Sequence, residues 1–215
     1  MPIKPKRWAF TPVTQAADNI LAAVTPGASG ALTLDGALIS GGVLARQTLA
    51  YILLLTTSAA DQAKTITITG TNAEGAAQTE TINLPNATTG FTTKAFRSIS
   101  SITVSAALIG TLSIGTANST LSAYSPTMPV DVYAQYTNLA ADISGTINFT
   151  LQKCYEMVNR GETANWVTAQ AAGAIDVVTA LTGPVSAVRI QINSYTNAAT
   201  LALSVLQGGS SVELM

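Results

Sequence analysis

The side chains able to do chemistry are few, and their spacing limits what they can do. The chain has no histidine and a single cysteine, Cys154. That removes Ser-His-Asp and Cys-His catalysis, imidazole acid–base chemistry and the common zinc sites, all of which need an imidazole or several thiolates. With no second thiol there is no intrachain disulfide. At the end of a strand-like run, Cys154 reads as a small packed hydrophobe. Two carboxylate pairs, Glu156 with Glu162 and Asp131 with Asp142, are the candidates for glycosidase-type acid–base work. Neither spacing aims both groups at one point, so solvated loop and strand-edge charges are the simpler reading. No Walker-type loop or dinucleotide fingerprint occurs. Gly27, Gly30, Gly36, Gly41 and Gly42 read as turn formers. No catalytic, cofactor-binding or metal-binding residue is assigned, and neither an enzymatic activity nor a cofactor is expected.

What remains is chemistry of contact. Lys4, Lys6 and Arg7 form the only basic cluster, and Trp8 follows at once. Pro2 and Pro5 make this stretch extended and not helical. These four residues are the candidate interface: a docking arm with an aromatic anchor, the residue type that dominates binding hot spots. Net charge is −1, so no global basic field exists to hold nucleic acid. A carbohydrate platform would have to use Tyr133 or Tyr155 with Trp166, and aromatics are only 6% of the chain. Trp166 fits a core position equally well.

Composition points the same way. Of 215 residues, 47% are hydrophobic and 10% charged, against roughly 25% charged in an average soluble domain. A surface covered by Ser, Thr, Asn, Gln and Ala has little electrostatic protection against association. Much of it is therefore expected to be interface in a homo-oligomer or larger assembly. No apolar core and cleavage site follow the basic start, so no leader is expected. The greasiest run, Leu49 to Leu55, is far too short for a bilayer and reads as a buried strand.

The elements that position these residues alternate with period two. Lys64 to Thr71 sets Ile66 and Ile68 on one face and threonines on the other, and Gln78 to Leu84 alternates again after Asn72-Ala73-Glu74-Gly75, which predicts a hairpin. Ser100 to Ser105, Leu112 to Ile114, Val130 to Tyr136, Thr146 to Leu151, Ser186 to Asn193 and Thr200 to Leu206 follow the same rule. Ser186 to Asn193 is expected to bury Val188, Ile190 and Ile192 and to expose Arg189 and Gln191. The pair Ser100–Val104 with Leu112–Gly115 parallels Ser186–Ile190 with Leu203–Val205, and each is expected to be a closing hairpin. Thr14 to Val24 can form a short helix, and Ala169 to Val178 is ambiguous. The expected fold is all-β: an antiparallel, jelly-roll-like β-sandwich, with two tandem small domains at 15–120 and 121–215 behind an N-terminal arm at 1–14. The boundary falls in the Ser/Thr-rich stretch Ala117 to Pro126. Edge strands left open invite aggregation, so pairing between subunits is expected.

Residues 65 to 117, T-I-T-I-T-G-T-N-A-E-G-A-A-Q-T-E-T-I-N-L through F-R-S-I-S-S-I-T-V-S and L-S-I-G-T-A, resemble a module of small virion proteins of tailed bacteriophages. Residues 130 to 153 and the ending V-S-A-V-R-I-Q-I-N through L-A-L-S-V-L-Q-G-G resemble a second module that accompanies it. The loop after Cys154 departs from the aromatic- and acid-rich form of that module. The resemblance implies a structural role in a virion assembled in the host cytoplasm, with the major capsid protein or neck and tail proteins as partners. It implies a capsid cement or decoration protein first, a neck or tail component second, and it supplies no catalytic residues. A receptor- or carbohydrate-binding module is the alternative of another class. Neither a membrane nor a specific nucleic acid is an expected partner.

Overall fold

The computed structural model describes residues 5–116, 123–134, 136–156, 162 and 164–208, apart from the side chain at 172. Among these residues every regular element is a strand, and all pairings are antiparallel. In chain order the strands are β1 (Lys6–Phe10), β2 (Leu21–Val24), β3 (Gly30–Ala31), β4 (Ile39–Ser40), β5 (Val43–Leu44), β6 (Ala50–Thr57), β7 (Thr65–Thr71), β8 (Ala77–Asn83), β9 (Thr89–Phe96), β10 (Ser98–Val104), β11 (Leu112–Gly115), β12 (Ala123–Tyr124), β13 (Met128–Pro129), β14 (Tyr136–Ser144), β15 (Ile147–Cys154), β16 (Val167–Gly173), β17 (Val177–Leu181), β18 (Ala187–Tyr195) and β19 (Thr200–Gly208). The described residues contain no helix; Thr14 to Val24 is irregular chain leading into β2.

The chain divides into two compact units, Val13–Tyr124 and Met1–Pro12 with Ser125–Met215. In the first, one sheet carries β9 and β11 on either side of β6, with β2 beyond β11 and β12 also on β6. Its other sheet runs β4-β5-β10-β7-β8, with β3 beside β10. In the second unit, one sheet runs β1-β19-β14-β17; in the other, β15 lies between β16 and β18, and β13 pairs with β18. The two units share one pairing scheme. Replacing β6 through β11 by β14 through β19, each in turn, β2 by β1, and β3 or β5 by β13 reproduces these contacts except β4 with β5 and β12 with β6.

Each unit is a two-sheet sandwich whose core is the apolar face of its strands. Ile66, Ile68, Ile102, Val104, Leu112 and Ile114 are buried in the first unit, where β6 is buried along nearly all its length. Ile147, Phe149, Leu151, Val188, Ile190, Ile192, Leu201, Leu203 and Val205 are buried in the second. Tyr51 is fully buried, and its hydroxyl accepts the Val13 amide at 2.9 Å; burial pushes its pKa up to about 12. The predicted hairpin is β7–β8, in register from Thr65 opposite Asn83 to Thr71 opposite Ala77. Asn72 builds its turn by accepting the Glu74 and Ala76 amides.

Three expectations are overturned. The two candidate closing hairpins are not hairpins: β10 pairs with β7 while β11 pairs with β6, and β18 pairs with β15 while β19 pairs with β14. Each pair of successive strands arches from one sheet to the other, as period-two alternation alone cannot tell. The strand expected from Val130 to Tyr136 is irregular over Val130 to Ala134. Asp131 closes a turn there, accepting the Tyr133 amide on its carboxylate and the Ala134 amide on its carbonyl, and the strand begins only at Tyr136. Arg189 and Gln191 are half-buried and not exposed. The ambiguous Ala169 to Val178 divides between β16 and β17.

Candidate interaction surfaces

The residues with chemical potential are tied up in local structure. The Cys154 thiol is buried and donates to Glu156 Oε2 at 2.9 Å. Burial, then the bond to Glu156, pushes its pKa up, the opposite of what a reactive thiolate needs. The same Glu156 oxygen accepts the Asn165 amide, and the bond from Cys154 foremost holds this carboxyl below its usual value. Ser186 Oγ donates to the carbonyls of Cys154 and Glu156. These contacts lock the chain leaving β15. Glu162 is exposed. Asp131 closes its turn and is gripped by Gln207, which accepts the Asp131 amide and donates to its carbonyl. Asp142 faces Arg7 at 3.9 Å, with both side chains well exposed. Among the described residues no three Cys, Asp or Glu side chains converge.

Of the candidate interface, Lys4 lies outside the described residues. Lys6, Arg7 and Trp8 belong to β1, which pairs with β19 from Lys6 opposite Val205 to Phe10 opposite Leu201. Lys6 and Arg7 are exposed, Trp8 is half-buried and Phe10 enters the core. Trp166 is half-buried with the Arg189 guanidinium 4.4 Å from its ring centre, and Tyr155 has Lys153 Nζ 5.2 Å from its own. One face of each ring is thus taken by a cation of the chain. Tyr133, at 67% exposure, stands on the Asp131 turn.

Two charge-poor sheet faces stand out. On β7, β8 and β10 the outward side chains are hydroxyls in register: Thr67 bonds Thr81 at 2.8 Å, Thr79 bonds Thr69 at 3.4 Å and Thr71 bonds Ser98 at 2.6 Å. On β15 and β18 the row is built of amides. Arg189 Nε donates to Gln152, Gln152 to Gln191, Gln191 to Asn193, and Asn193 to Asn148 and Thr150. The alternation that sends Ile147, Phe149 and Leu151 into the core turns Asn148, Thr150 and Gln152 to the opposite face, where Thr150 is itself buried, so this row was readable in principle once β15 and β18 were known to be neighbours.

The flank where β8 and β9 meet is closed by side chains that sequence reasoning missed. Glu80, 6% exposed, accepts the Thr93 amide and hydroxyl at 2.8 Å and the Lys94 amide at 3.0 Å. Lys94 Nζ donates to the Thr79 carbonyl, and Gln78 to the Ala95 carbonyl. Asp61 ties the ends of two crossovers. Its buried carboxylate accepts Lys64 Nζ at 2.7 Å and the amides of Ile109 and Gly110 at 3.0 and 3.1 Å.

Fold and surfaces together define an all-β protein built of two-sheet sandwiches with charge-poor, internally bonded outer faces. No protein-family model and no curated protein sequence matches the chain.

Proposed function

We propose that this protein is a non-enzymatic structural component of a tailed-phage virion, seated on the capsid as a cement or decoration protein. The observation that carries the reading is the pair of charge-poor outer faces, one of hydroxyls and one of amides with Arg189 at its end. Covering a charged surface costs its desolvation, and interface cores are depleted in charge for that reason. Here the hydroxyls of Thr67, Thr69, Thr79 and Thr81 and the amides of Gln152, Gln191 and Asn193 already bond one another. A neighbouring subunit laid on them strips few strongly bound waters. Such faces suit broad packing, in which contact area summed over many copies stabilises a shell. The resemblance of residues 65 to 117 and 130 to 153 to virion modules supports the same role.

The test is the copy number of this protein in purified particles, by quantitative mass spectrometry against the major capsid protein. A one-to-one ratio, or a simple fraction of it, is the expected result. A few copies per particle would move the protein to the neck or tail. Absence from the particle would overturn the virion reading.

A further inference from the structure

We infer that strand β17 is a self-association edge: two copies of this chain pair there, antiparallel about a two-fold axis at Thr179, and so join their β1-β19-β14-β17 sheets into one.

The argument starts from how the molecule treats its other edges. An open edge presents unpaired backbone N–H and C=O groups, and proteins blunt it with charge, proline, bulges or covering side chains. Edge strand β1 carries Lys6 and Arg7. Strand β13 is two residues long and holds Pro129. Strand β16 is broken by two register shifts against β15. In the first unit, β8 and β9 are clasped by Glu80, Lys94 and Gln78. In the shared pairing scheme β16 and β17 stand where β8 and β9 stand. Their sequences, V-T-A-Q-A-A-G and V-V-T-A-L, hold no charged residue, so no such ionic clasp can form.

Strand β17 is also a regular edge, as unbroken as β1 and β8 but without their charges. It pairs with β14 over five residues without a register shift, and among the described residues no strand lies on its far side. Val178 is 83% exposed, more than any other large hydrophobic side chain described, and Ile175 beside the strand is 70% exposed. A β-branched, uncharged, unbulged edge is the form that takes on another extended strand.

Charge selects a second copy as the occupant. Antiparallel pairing centred on Thr179 sets Val178 opposite Ala180 of the other copy and Val177 opposite Leu181, so no like charges meet. The same register sets exposed Asp176 opposite Thr182 of the other copy. The carbonyl of Thr182 is where Lys153 Nζ lies, at 3.5 Å. Asp176 Oδ1 accepts the Ile143 amide of its own chain at 2.8 Å, which leaves Oδ2 as the acceptor for Lys153 of the other copy, once at each end of the paired strands. Closed two-fold contacts of this kind are the commonest symmetric association. The inference rests on the edge alone and holds whether or not the protein belongs to a virion.

The experiment uses the full chain in analytical ultracentrifugation over a micromolar concentration series. The expected result is a reversible dimer. V178K alters an outward side chain and sets two ammonium groups at the symmetric edge. It should weaken the dimer by at least about tenfold while leaving the far-UV circular dichroism and melting of the monomer unchanged. T179C should form a disulfide-linked dimer on mild oxidation, because the axis sets residue 179 against itself, whereas V178C should not. A wild-type chain that stays monomeric throughout, or an oligomer indifferent to V178K, or T179C that fails to cross-link, would overturn the pairing.

Discussion

Replacing Asp61 by Asn tests whether the first unit is held at its crossovers by one buried carboxylate. The side chain has no solvent exposure, and both oxygens are engaged by Lys64 Nζ and the amides of Ile109 and Gly110. Asn keeps the shape but has a single acceptor oxygen, so an NH2 group must face one of three donors and Lys64 loses its counter-charge. A hydrogen bond to a charged group contributes about 1.5–3 kcal/mol, and a buried donor left unpaired costs about 1–3 kcal/mol. A loss of ~3 kcal/mol follows, which for a unit of this size lowers the melting temperature by roughly 10 °C. Burial works to raise the carboxyl pKa, but the bonds from Lys64, Ile109 and Gly110 outweigh it and hold it below the ordinary value. A carboxyl whose folded pKa is depressed contributes stability that is fully present above its unfolded value, about 3.9, and is lost as the pH falls through the folded value. The gap between wild type and D61N should thus be constant from neutral pH down to about 5 and narrow below about 4. Urea denaturation of both proteins across that range measures it. A gap under about 1 kcal/mol at pH 7, or one that does not narrow in acid, would refute the reasoning.

Three further outcomes are expected. Glu80→Ala frees the Thr93 and Lys94 amides and should cost about 2–3 kcal/mol, with faster hydrogen exchange concentrated in β9; exchange rising equally in every strand would speak against a clasp. Gly70→Ala puts a methyl group into the Ser98 carbonyl at the register shift of β10 against β7. Because backbone blocks it, the cost should exceed ~3 kcal/mol, and near-wild-type melting would contradict the close approach. Cys154 should resist thiol reagents at pH 8 in the folded protein and react at once in denaturant, since burial and Glu156 disfavour its thiolate; prompt labelling of the folded chain would show the opposite.

The candidate interface was only partly legible. Lys6, Arg7 and Trp8 are extended, as Pro5 and their composition imply. Their commitment to β19 is a long-range pairing that no local signal announces. The clasping residues were harder still. Glu80 sits in a strand whose alternation marks it only as facing inward, and Asp61 sits in a turn. What makes each matter is a set of backbone amides brought to it from chain far away in sequence. Strands β9, β16 and β17 escaped notice because Thr, Ala and Gly blur the alternation that a half-buried strand normally shows.

By itself the sequence determined the class of the fold and much of its core. The period-two runs at Ile66, Phe149, Ile190 and Leu203 force one apolar face per strand, and that face must be buried. It also determined the scarcity of charge that leaves the outer faces charge-poor. Only the tertiary structure decided which strands are neighbours. That choice made arches of β10–β11 and β18–β19, lined up the hydroxyl and amide rows, and left no described strand beyond β17 at the end of its sheet. The physical reason is that alternation specifies which way a side chain points, while pairing is settled by backbone hydrogen bonds between segments tens of residues apart.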